Sequence, residues 1–307
     1  MRNKLISSFA GAAFNFALSG LAFAADIAVK AAAPSPAPVY NWTGWYVGVN
    51  AGASMGNVKT DFNGAPVFVD GSQNTSGFGF SDRNYPAGFM GGGQIGYNWQ
   101  YSPLIVVGFE ADIQGALEKD SSNNLTQNVD FFQEVGALIK TCGIPGGFGI
   151  HCTAVTSYTT QIEWFGTARA RLGYVWGNGE VLSYVTGGLA YGEVKINGTS
   201  TISGPGFAGQ VCAVCEVAFS QTQAFGQSHV NTGWVLRYGT EGHLPLMPGN
   251  WTWKIESLYM DLGTLDATSV TSSTSGLKPS LLTGGHVTTH SHYTDGILRG
   301  GLNYKFY

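Results

Sequence analysis

The feature of this sequence that most constrains its fold is a series of short segments in which apolar and polar residues alternate. We count eight of them, at roughly 43–55, 89–100, 104–117, 162–176, 181–194, 230–241, 251–262 and 293–307. Each contains 12 to 15 residues, which is enough for the roughly ten residues of a tilted membrane-spanning strand. Because successive side chains of a strand point to opposite faces, the alternation predicts strands with one apolar face and one polar face.

The chain carries too little charge for sheets of this kind to face water. In the third segment, Ile105, Val107 and Phe109 fall on one face, while Glu110 and Asp112 fall on the other. Charged residues make up only 11% of the chain, whereas roughly 25% is ordinary for soluble proteins. Beyond the amino-terminal region, no stretch approaches the ~20 apolar residues of a membrane helix. Since helices and closed barrels are the structures that satisfy the backbone in a bilayer, the pattern predicts a barrel.

The spacers between the segments are alternately long and short. Polar gaps of roughly 30 to 45 residues follow segments one, three, five and seven, whereas residues 101–103, 177–180 and 242–250 form short connections. Outer-membrane barrels have this arrangement, with short turns in the periplasm and long loops outside the cell. The sequence therefore predicts an all-β fold, namely an eight-stranded antiparallel transmembrane β-barrel with long extracellular loops and short periplasmic turns.

Three regions are predicted along the chain. A basic start, an apolar run and the small-x-small end Ala22-Phe23-Ala24 are typical of a secretory signal peptide over residues 1–24. A retained membrane anchor is the alternative, against which the short apolar core argues. Residues 25–42 are rich in Ala and Pro and predict an extended periplasmic linker. Residues 43–307 form the barrel, so anchorage to the cell wall is expected only through the linker.

Pairs of aromatic residues close three of the segments. Two aromatics that are two residues apart lie on the same face of a strand, and such barrels carry aromatic girdles at the membrane interfaces. Ordinary cross-strand packing of aromatic rings is the alternative. The predicted girdle residues are Tyr97, Trp99, Tyr174, Trp176, Tyr304 and Phe306.

Three stretches of the chain resemble the small outer-membrane immunogenic proteins of alphaproteobacteria, a porin family of OmpA-like transmembrane barrels. They are Asn41-Trp42-Thr43-Gly44-Trp45-Tyr46-Val47-Gly48, the Gly-Gly-Gln-Ile-Gly-Tyr-Asn-Trp of residues 92–99, and the end of the chain over residues 299–306. The resemblance covers nearly all of the expected mature chain. It implies a barrel located in the bacterial outer membrane, whose last strand is read by the barrel-assembly machinery. Family members usually end on Phe, whereas Tyr307 follows Phe306 here.

The inward faces of the predicted strands carry charges of both signs. An eight-stranded barrel is just wide enough for side chains to fill it, and buried charges must be paired or hydrogen-bonded. We expect an ion-pair network that plugs the barrel, and the alternative is a narrow polar path for ions or small solutes. The predicted interior charges are Glu110, Asp112, Arg169, Arg171, Arg237, Glu241, Lys254, Glu256 and Arg299.

The sequence around His290 suggests two further sites, although we favour the interpretation of this region as a solvated polar loop. A His-x-His pair on a strand, His290 and His292 with His286 nearby, would direct two rings the same way toward a metal, but only Asp295 is close in sequence. Ser291 beside His290 invites comparison with lipid-modifying barrel enzymes, although adjacent strand residues face opposite ways. We therefore expect no metal, no cofactor and no enzymatic activity.

The function predicted from these features is a structural and surface-interaction role for an outer-membrane protein that presents its loops outside. A low-conductance porin is the alternative, and a lipid-modifying enzyme is a remote one. The expected partners are outer-membrane lipid and lipopolysaccharide, the assembly machinery, and host or envelope proteins that contact the loops. A net charge of -4 without a basic stripe argues against nucleic acid.

The four cysteines, Cys142, Cys152, Cys212 and Cys215, predict disulfides, because an even number in an exported chain is typical of them. Three connectivities are open, and we favour Cys142–Cys152 and Cys212–Cys215 because each pair lies in one predicted loop. A redox or metal-binding Cys-x-x-Cys is the alternative. Alkylation under non-reducing conditions followed by peptide mapping is expected to find no free thiol. Four alkylated cysteines would contradict the disulfides.

Overall fold

The computed structural model describes residues 40–64, 67–69, 78–133, 148–207, 216–247, 250–275, 282–284 and 286–306. The predicted signal peptide and most of the predicted linker lie outside these ranges. None of the described residues forms a helix that is long and apolar enough to cross a membrane. The described strands are β1 (Gly44–Gly64), β2 (Val67–Val69), β3 (Phe78–Asn84), β4 (Ala87–Gln100), β5 (Ile105–Gln133), β6 (Phe148–Trp176), β7 (Val181–Phe207), β8 (Glu216–His243), β9 (Trp251–Ser275), β10 (Leu282–Gly284) and β11 (Val287–Lys305).

Eight of these strands close into an antiparallel ring in the order β1, β4, β5, β6, β7, β8, β9, β11, and β11 pairs back with β1. The closing ladder runs from Tyr46 opposite Lys305 to Gly64 opposite Val287. β3 pairs with the far part of β1, while β2 and β10 form a separate two-stranded ribbon. The ring confirms the predicted eight-stranded barrel.

Short connections gather at one end of the barrel, where β1 begins and β11 ends, and we call this end the base and the opposite end the rim. The connection between β6 and β7 is a 3-10 turn over Gly177–Gly179. Its three residues Gly177, Asn178 and Gly179 all have positive φ angles, of 61°, 58° and 95°. Gly and Asn are the residues that adopt this conformation at least cost. The sequence therefore forces a tight reversal here and keeps β6 and β7 adjacent.

The strands run much farther toward the rim than the alternation predicts. β5 continues to Gln133 and β6 begins at Phe148, although residues between 117 and 162 were expected to form a loop. The β6–β7 ladder likewise extends to Thr153 opposite Ser203. Beyond the membrane the outward face of a strand meets water and no longer has to be apolar. The alternation therefore disappears from the sequence, although backbone pairing continues.

An apolar band surrounds the outside of the barrel next to the base. Its residues stand out into the surroundings, with Phe89 76% and Leu117 82% exposed. On β5 the band extends from Ile105 to Leu117, and the next outward side chain is the charged Lys119. Twelve strand steps at the tilt of a small barrel rise about 30 Å, which matches the ~30 Å hydrocarbon core of a bilayer. Exposed apolar surface of this size is stable when lipid covers it.

Close packing of neighbouring strands makes one glycine of β7 far less replaceable than its neighbour. A Cβ at Gly188 would meet the carbonyl oxygen of Ala168 and lie 2.7 Å from Arg169 Cα, whereas a Cβ at Gly187 would have no neighbour closer than 3.8 Å. We expect Gly188→Ala to destabilise the barrel by about 1–3 kcal/mol and Gly187→Ala to change stability by less than about 0.5 kcal/mol. Urea unfolding in detergent, followed by the gel mobility of unboiled samples, measures both. Equal midpoints for the two variants would contradict the packing argument.

Candidate functional site

The structure brings all nine predicted interior charges together inside the membrane-embedded part of the barrel. Each is at most 5% exposed, and they come from five of the eight ring strands. We call this group the ion cluster. It consists of Glu110 and Asp112 on β5, Arg169 and Arg171 on β6, Arg237 and Glu241 on β8, Lys254 and Glu256 on β9, and Arg299 on β11.

Glu110 lies at the centre of the ion cluster. Its Oε1 atom is 2.7 Å from Nη2 of Arg169, 2.9 Å from Nη2 of Arg237 and 3.8 Å from Nζ of Lys254. Its other oxygen accepts a hydrogen bond of 2.7 Å from the hydroxyl of Tyr46. Several donors therefore share one carboxylate, and its negative charge offsets cations from three other strands.

Glu256 forms a second centre on β9. Its Oε1 atom is 2.8 Å from Nη1 of Arg237 and 3.0 Å from Nζ of Lys254, and its Oε2 atom is 2.7 Å from Nε of Arg299. The Tyr184 hydroxyl donates a hydrogen bond of 2.5 Å to Oε1. Arg237 and Lys254 therefore lie between two carboxylates and link the two centres.

Two further ion pairs cross the lumen. Arg299 on β11 is 2.7 Å from Asp112 on β5, and Arg171 on β6 is 2.5 Å from Glu241 on β8. Neither pair joins neighbouring strands of the ring. The Arg171 guanidinium also stacks 3.7 Å from the ring centre of Tyr184. Long cationic side chains thus fill the cross-section from wall to wall.

The base of the barrel is covered by the residues that precede β1. Trp42 is 1% exposed, and its indole N–H donates a hydrogen bond of 3.0 Å to the carbonyl oxygen of Gly179 in the β6–β7 turn. Tyr40 stacks on His243 at 4.5 Å, and the Lys305 ammonium lies 4.6 Å from the centre of the Tyr40 ring. Trp42 and Tyr40 fall in the predicted linker. The Ala- and Pro-rich composition of the linker did not indicate that these two residues would pack under the lumen.

The rim half of the barrel has an apolar interior that the sequence analysis missed. The ring of Phe62 packs at 4.7 Å from Phe80, 4.9 Å from Tyr158 and 6.0 Å from Phe225. Burial and the nearby Asp82 carboxylate, which accepts the hydroxyl hydrogen bond of Tyr158, raise the pKa of Tyr158 above its ordinary value. These side chains belong to a core above the ion cluster, in which eight of the twenty buried members among the described residues come from predicted loops and twelve from the rim-side ends of predicted segments. The buried members are Val58, Phe62, Met90, Ala116, Tyr158, Ile162, Phe165, Ala190, Val194, Ile196, Phe225, Val235, Leu258, Met260, Leu262, Leu265, Ala267, Val287, Tyr293 and Ile297.

The sequence of this chain matches the profile described as "Outer membrane protein beta-barrel domain" over residues 19–306. The chain belongs to this family of outer-membrane barrels. It is 34% identical over 309 residues to the 31 kDa outer-membrane immunogenic proteins of Brucella melitensis and Brucella suis, with 100% of each chain covered. The expected resemblance is thereby confirmed, and the protein is located in the bacterial outer membrane.

Solved structures of outer-membrane proteins are also similar to this chain. OprG from Pseudomonas aeruginosa is 12% identical, with 86% of this chain and 97% of OprG covered and a TM-score of 0.31. Ail of Yersinia pestis is 12% identical, with 85% of this chain and 99% of Ail covered and a TM-score of 0.27.

The predicted girdle residues of this outer-membrane barrel lie near the base and face outward. Trp99, Tyr174, Trp176 and Phe306 are exposed, and Tyr97 and Tyr304 are half-buried. The half-buried rings contact aromatics on neighbouring strands that the sequence analysis did not select. Trp45 packs 5.3 Å from Tyr97, and Trp251 packs 5.2 Å from Tyr304. The selected aromatics share a repeated motif on strands that run toward the base. Trp45 and Trp251 lie on strands of opposite direction, which have no shared motif.

The histidines of β11 lie on the outside of the barrel above the apolar band. A ring nitrogen of His290 is 2.7 Å from Asp266, and one of His292 is 3.0 Å from Asp261. The carboxylate nearest in sequence, Asp295, is instead buried on the inner face, because strand parity places it opposite to the histidines. Within the described residues, no group of three or more His, Cys, Asp or Glu side chains could hold a metal ion.

Ser291 is not assembled with His290, and the cysteine side chains lie outside the described residues. Ser291 is buried and shares a hydrogen bond of 3.0 Å with the Thr60 hydroxyl, whereas His290 is exposed on the opposite face. The structure describes the backbone of Cys152 within β6, but its side chain and the other three cysteines lie outside the described part. The predicted disulfides therefore stay predictions.

The ion cluster makes the stability of the barrel depend on Glu110. We expect Glu110→Gln to lower the free energy of unfolding by about 3–5 kcal/mol, because it leaves buried cations without their shared anion. Lys59→Gln is the matched control, because it removes a half-exposed ion pair with Asp61, and such pairs contribute little. Urea unfolding of both variants in detergent gives the comparison. A Glu110→Gln midpoint as close to the wild-type value as that of Lys59→Gln would contradict the dependence.

Proposed function

We propose that the protein is a closed, non-conducting outer-membrane barrel with a structural and surface-interaction role. It acts through its rim half, which we place outside the cell and call the extracellular half. The observation that carries this proposal is the ion cluster, whose cations and carboxylates pair across the lumen between strands that are not neighbours. An ion moving along the axis would have to break several buried pairs at once. Removing one partner of such a pair is costly in a medium of low polarity.

The layers on either side of the ion cluster support the same proposal. Toward the periplasm, Trp42 and Tyr40 cover the base. Toward the rim, rings around Phe62 occupy the interior that a channel would need. Water-filled lumens belong to wider barrels with more strands. A low-conductance porin is therefore the alternative that the conductance experiment must exclude.

The extracellular half provides the surface on which we place the function. β5 continues for 16 residues beyond Leu117, which corresponds to a rise of about 40 Å above the apolar band. An extracellular half of this height reaches through the lipopolysaccharide layer, so its outer face can contact lipopolysaccharide and host or envelope proteins. The two Brucella relatives are named as immunogenic proteins, and exposure of the same half would make this protein visible to antibodies as well.

Two further parts of the proposal concern activity and assembly. The separation of Ser291 from His290 on opposite faces supports a protein that is not an enzyme. For assembly, β11 pairs with β1 over its whole length and completes the ring. We infer that the barrel-assembly machinery binds β11 before this pairing forms, since a strand that is still unpaired offers its backbone groups to another strand.

Single-channel recording of the refolded mature protein in a planar lipid bilayer tests the proposal. We expect no discrete openings from wild-type protein whose folding is verified by its heat-dependent gel mobility. Trp42→Ala serves as the companion variant, because it removes the cover of the base and leaves the ion cluster intact; it is expected to stay silent too. Reproducible openings of the wild-type protein would overturn the closed barrel in favour of a small porin.

A further inference from the structure

The wall of the barrel contains one long interruption, between β8 and β9 in the rim half. Near the base the two strands pair from His243 opposite Thr252 to Trp234 opposite Asp261, and near the rim they pair again from Phe225 opposite Ser269. Between these points Gly226–Gly233 and Leu262–Thr268 form no ladder. We call these two facing stretches the β8–β9 window. On its other side β8 pairs with β7 without a break.

Side-chain exposure shows that β8 bends outward at the window. Phe225, Asn231 and Val235 are buried on the inner face, so alternation assigns Gln227 and His229 to the same face. Both are exposed, and with Ser228 and Val230 they form four consecutive exposed residues. A strand that keeps its place in a closed wall exposes every second residue at most. The wall itself is therefore interrupted beside residues 227–230, whereas at the base end of the window Gly233 packs directly against the backbone of Asp261 and Leu262.

The two facing stretches also differ in length. The window has eight residues on β8, Gly226–Gly233, against seven on β9, Leu262–Thr268. β9 is also bulged here, because its register with β11 passes over Leu262 and Gly263 adopts a φ of 72°. Two strands of unequal length between two fixed ladders cannot stay paired throughout, and a bulge increases the local twist.

The window separates the surroundings from the apolar core of the rim half. Directly inside it lie Leu262, Leu265 and Ala267, all buried. One side chain bridges the strands, since the Asn231 amide donates a hydrogen bond of 3.0 Å to the carbonyl oxygen of Thr264. Opening any fully paired part of the ring requires breaking its ladder, whereas the strands at the window are already unpaired.

β3 and β5 also face each other without pairing, but hydrogen bonds to carboxylates hold this second boundary together. Tyr158 donates a hydrogen bond of 2.9 Å to Asp82 on β3, and the backbone N–H of Tyr85 donates one of 2.8 Å to Asp120 on β5. Two bonds to carboxylates thus tie β3 and its neighbours to the opposite side of that boundary. Charge-assisted hydrogen bonds of this kind are roughly twice as strong as neutral ones such as the Asn231 bridge.

We propose that the extracellular wall opens sideways at the β8–β9 window, by local separation of β8 from β9 while the axis of the barrel stays closed. The opening is built into the fold by the missing ladder between these two stretches. It exposes the core of the rim half from the side, and the Asn231 bridge limits it. The proposal does not depend on whether the barrel conducts, because the ion cluster lies below the window.

Residue-resolved hydrogen–deuterium exchange of the folded wild-type protein tests the proposal. Alternate residues of a strand direct their N–H groups to its two neighbours. Within Gly226–Gly233, amides that face β7 should stay protected, while those that face β9 should exchange on the order of 100-fold faster. Slow exchange of both sets would overturn the proposal, because the window would then be bonded shut. Fast exchange of both sets would overturn it too, because β8 would then leave the sheet altogether.

A pair of variants tests the role of the bridge. Asn231→Ala is expected to raise exchange at the β9-facing amides of Gly226–Gly233 by a further few-fold, on the order of what one hydrogen bond contributes. Thr222→Ala is the matched control, because it removes the 2.9 Å bond between Thr201 and Thr222 in the paired part of β8; exchange at the window should not change. An equal rise in both variants would show general loosening of β8 and would contradict a bridge specific to the window.

Discussion

The constraint on which the rest of this structure depends is that backbone groups in hydrocarbon must find partners within the protein. Eight strands that close on themselves meet this constraint without a helix. Closure then reverses the usual distribution of side chains. Leu117 and Phe89 face outward into lipid, while the ion cluster takes the interior, where it is removed from both water and hydrocarbon. Because an eight-stranded ring is so narrow, these charges lie within bonding distance of one another.

The sequence predicts best the part of the chain where lipid imposes its pattern. Alternation over residues 104–117 is sufficient to assign Glu110 and Asp112 to the inner face, because the positions that alternate with them face lipid and must be apolar. The same reasoning fails above Leu117, where no lipid acts on the outer face and strands appear as polar spacers. The long strands of the rim half are stabilised by ladders and by an apolar core around Phe62, and both involve residues far apart in the chain.

Two features were beyond sequence reasoning for a different reason. Trp42 covers the base because the turn at Gly179 provides an acceptor at the right place, and the two residues are separated by most of the first half of the barrel. The β8–β9 window lies between two ladders that leave eight residues on one strand opposite seven on the other. Neither composition nor periodicity records such a difference, since it is a property of the ring and not of either strand alone.

The ion cluster also has a consequence for the order in which the molecule can be completed. Its members are supplied by strands from β5 to β11, and Arg299 arrives on the last of them. Until β11 is in place, Asp112 and Glu256 each lack one of their cations. These two carboxylates therefore gain their shared guanidinium at the same step that closes the wall between β11 and β1. A barrel that lacks its final strand therefore has an open wall and also two buried carboxylates without the guanidinium that links them.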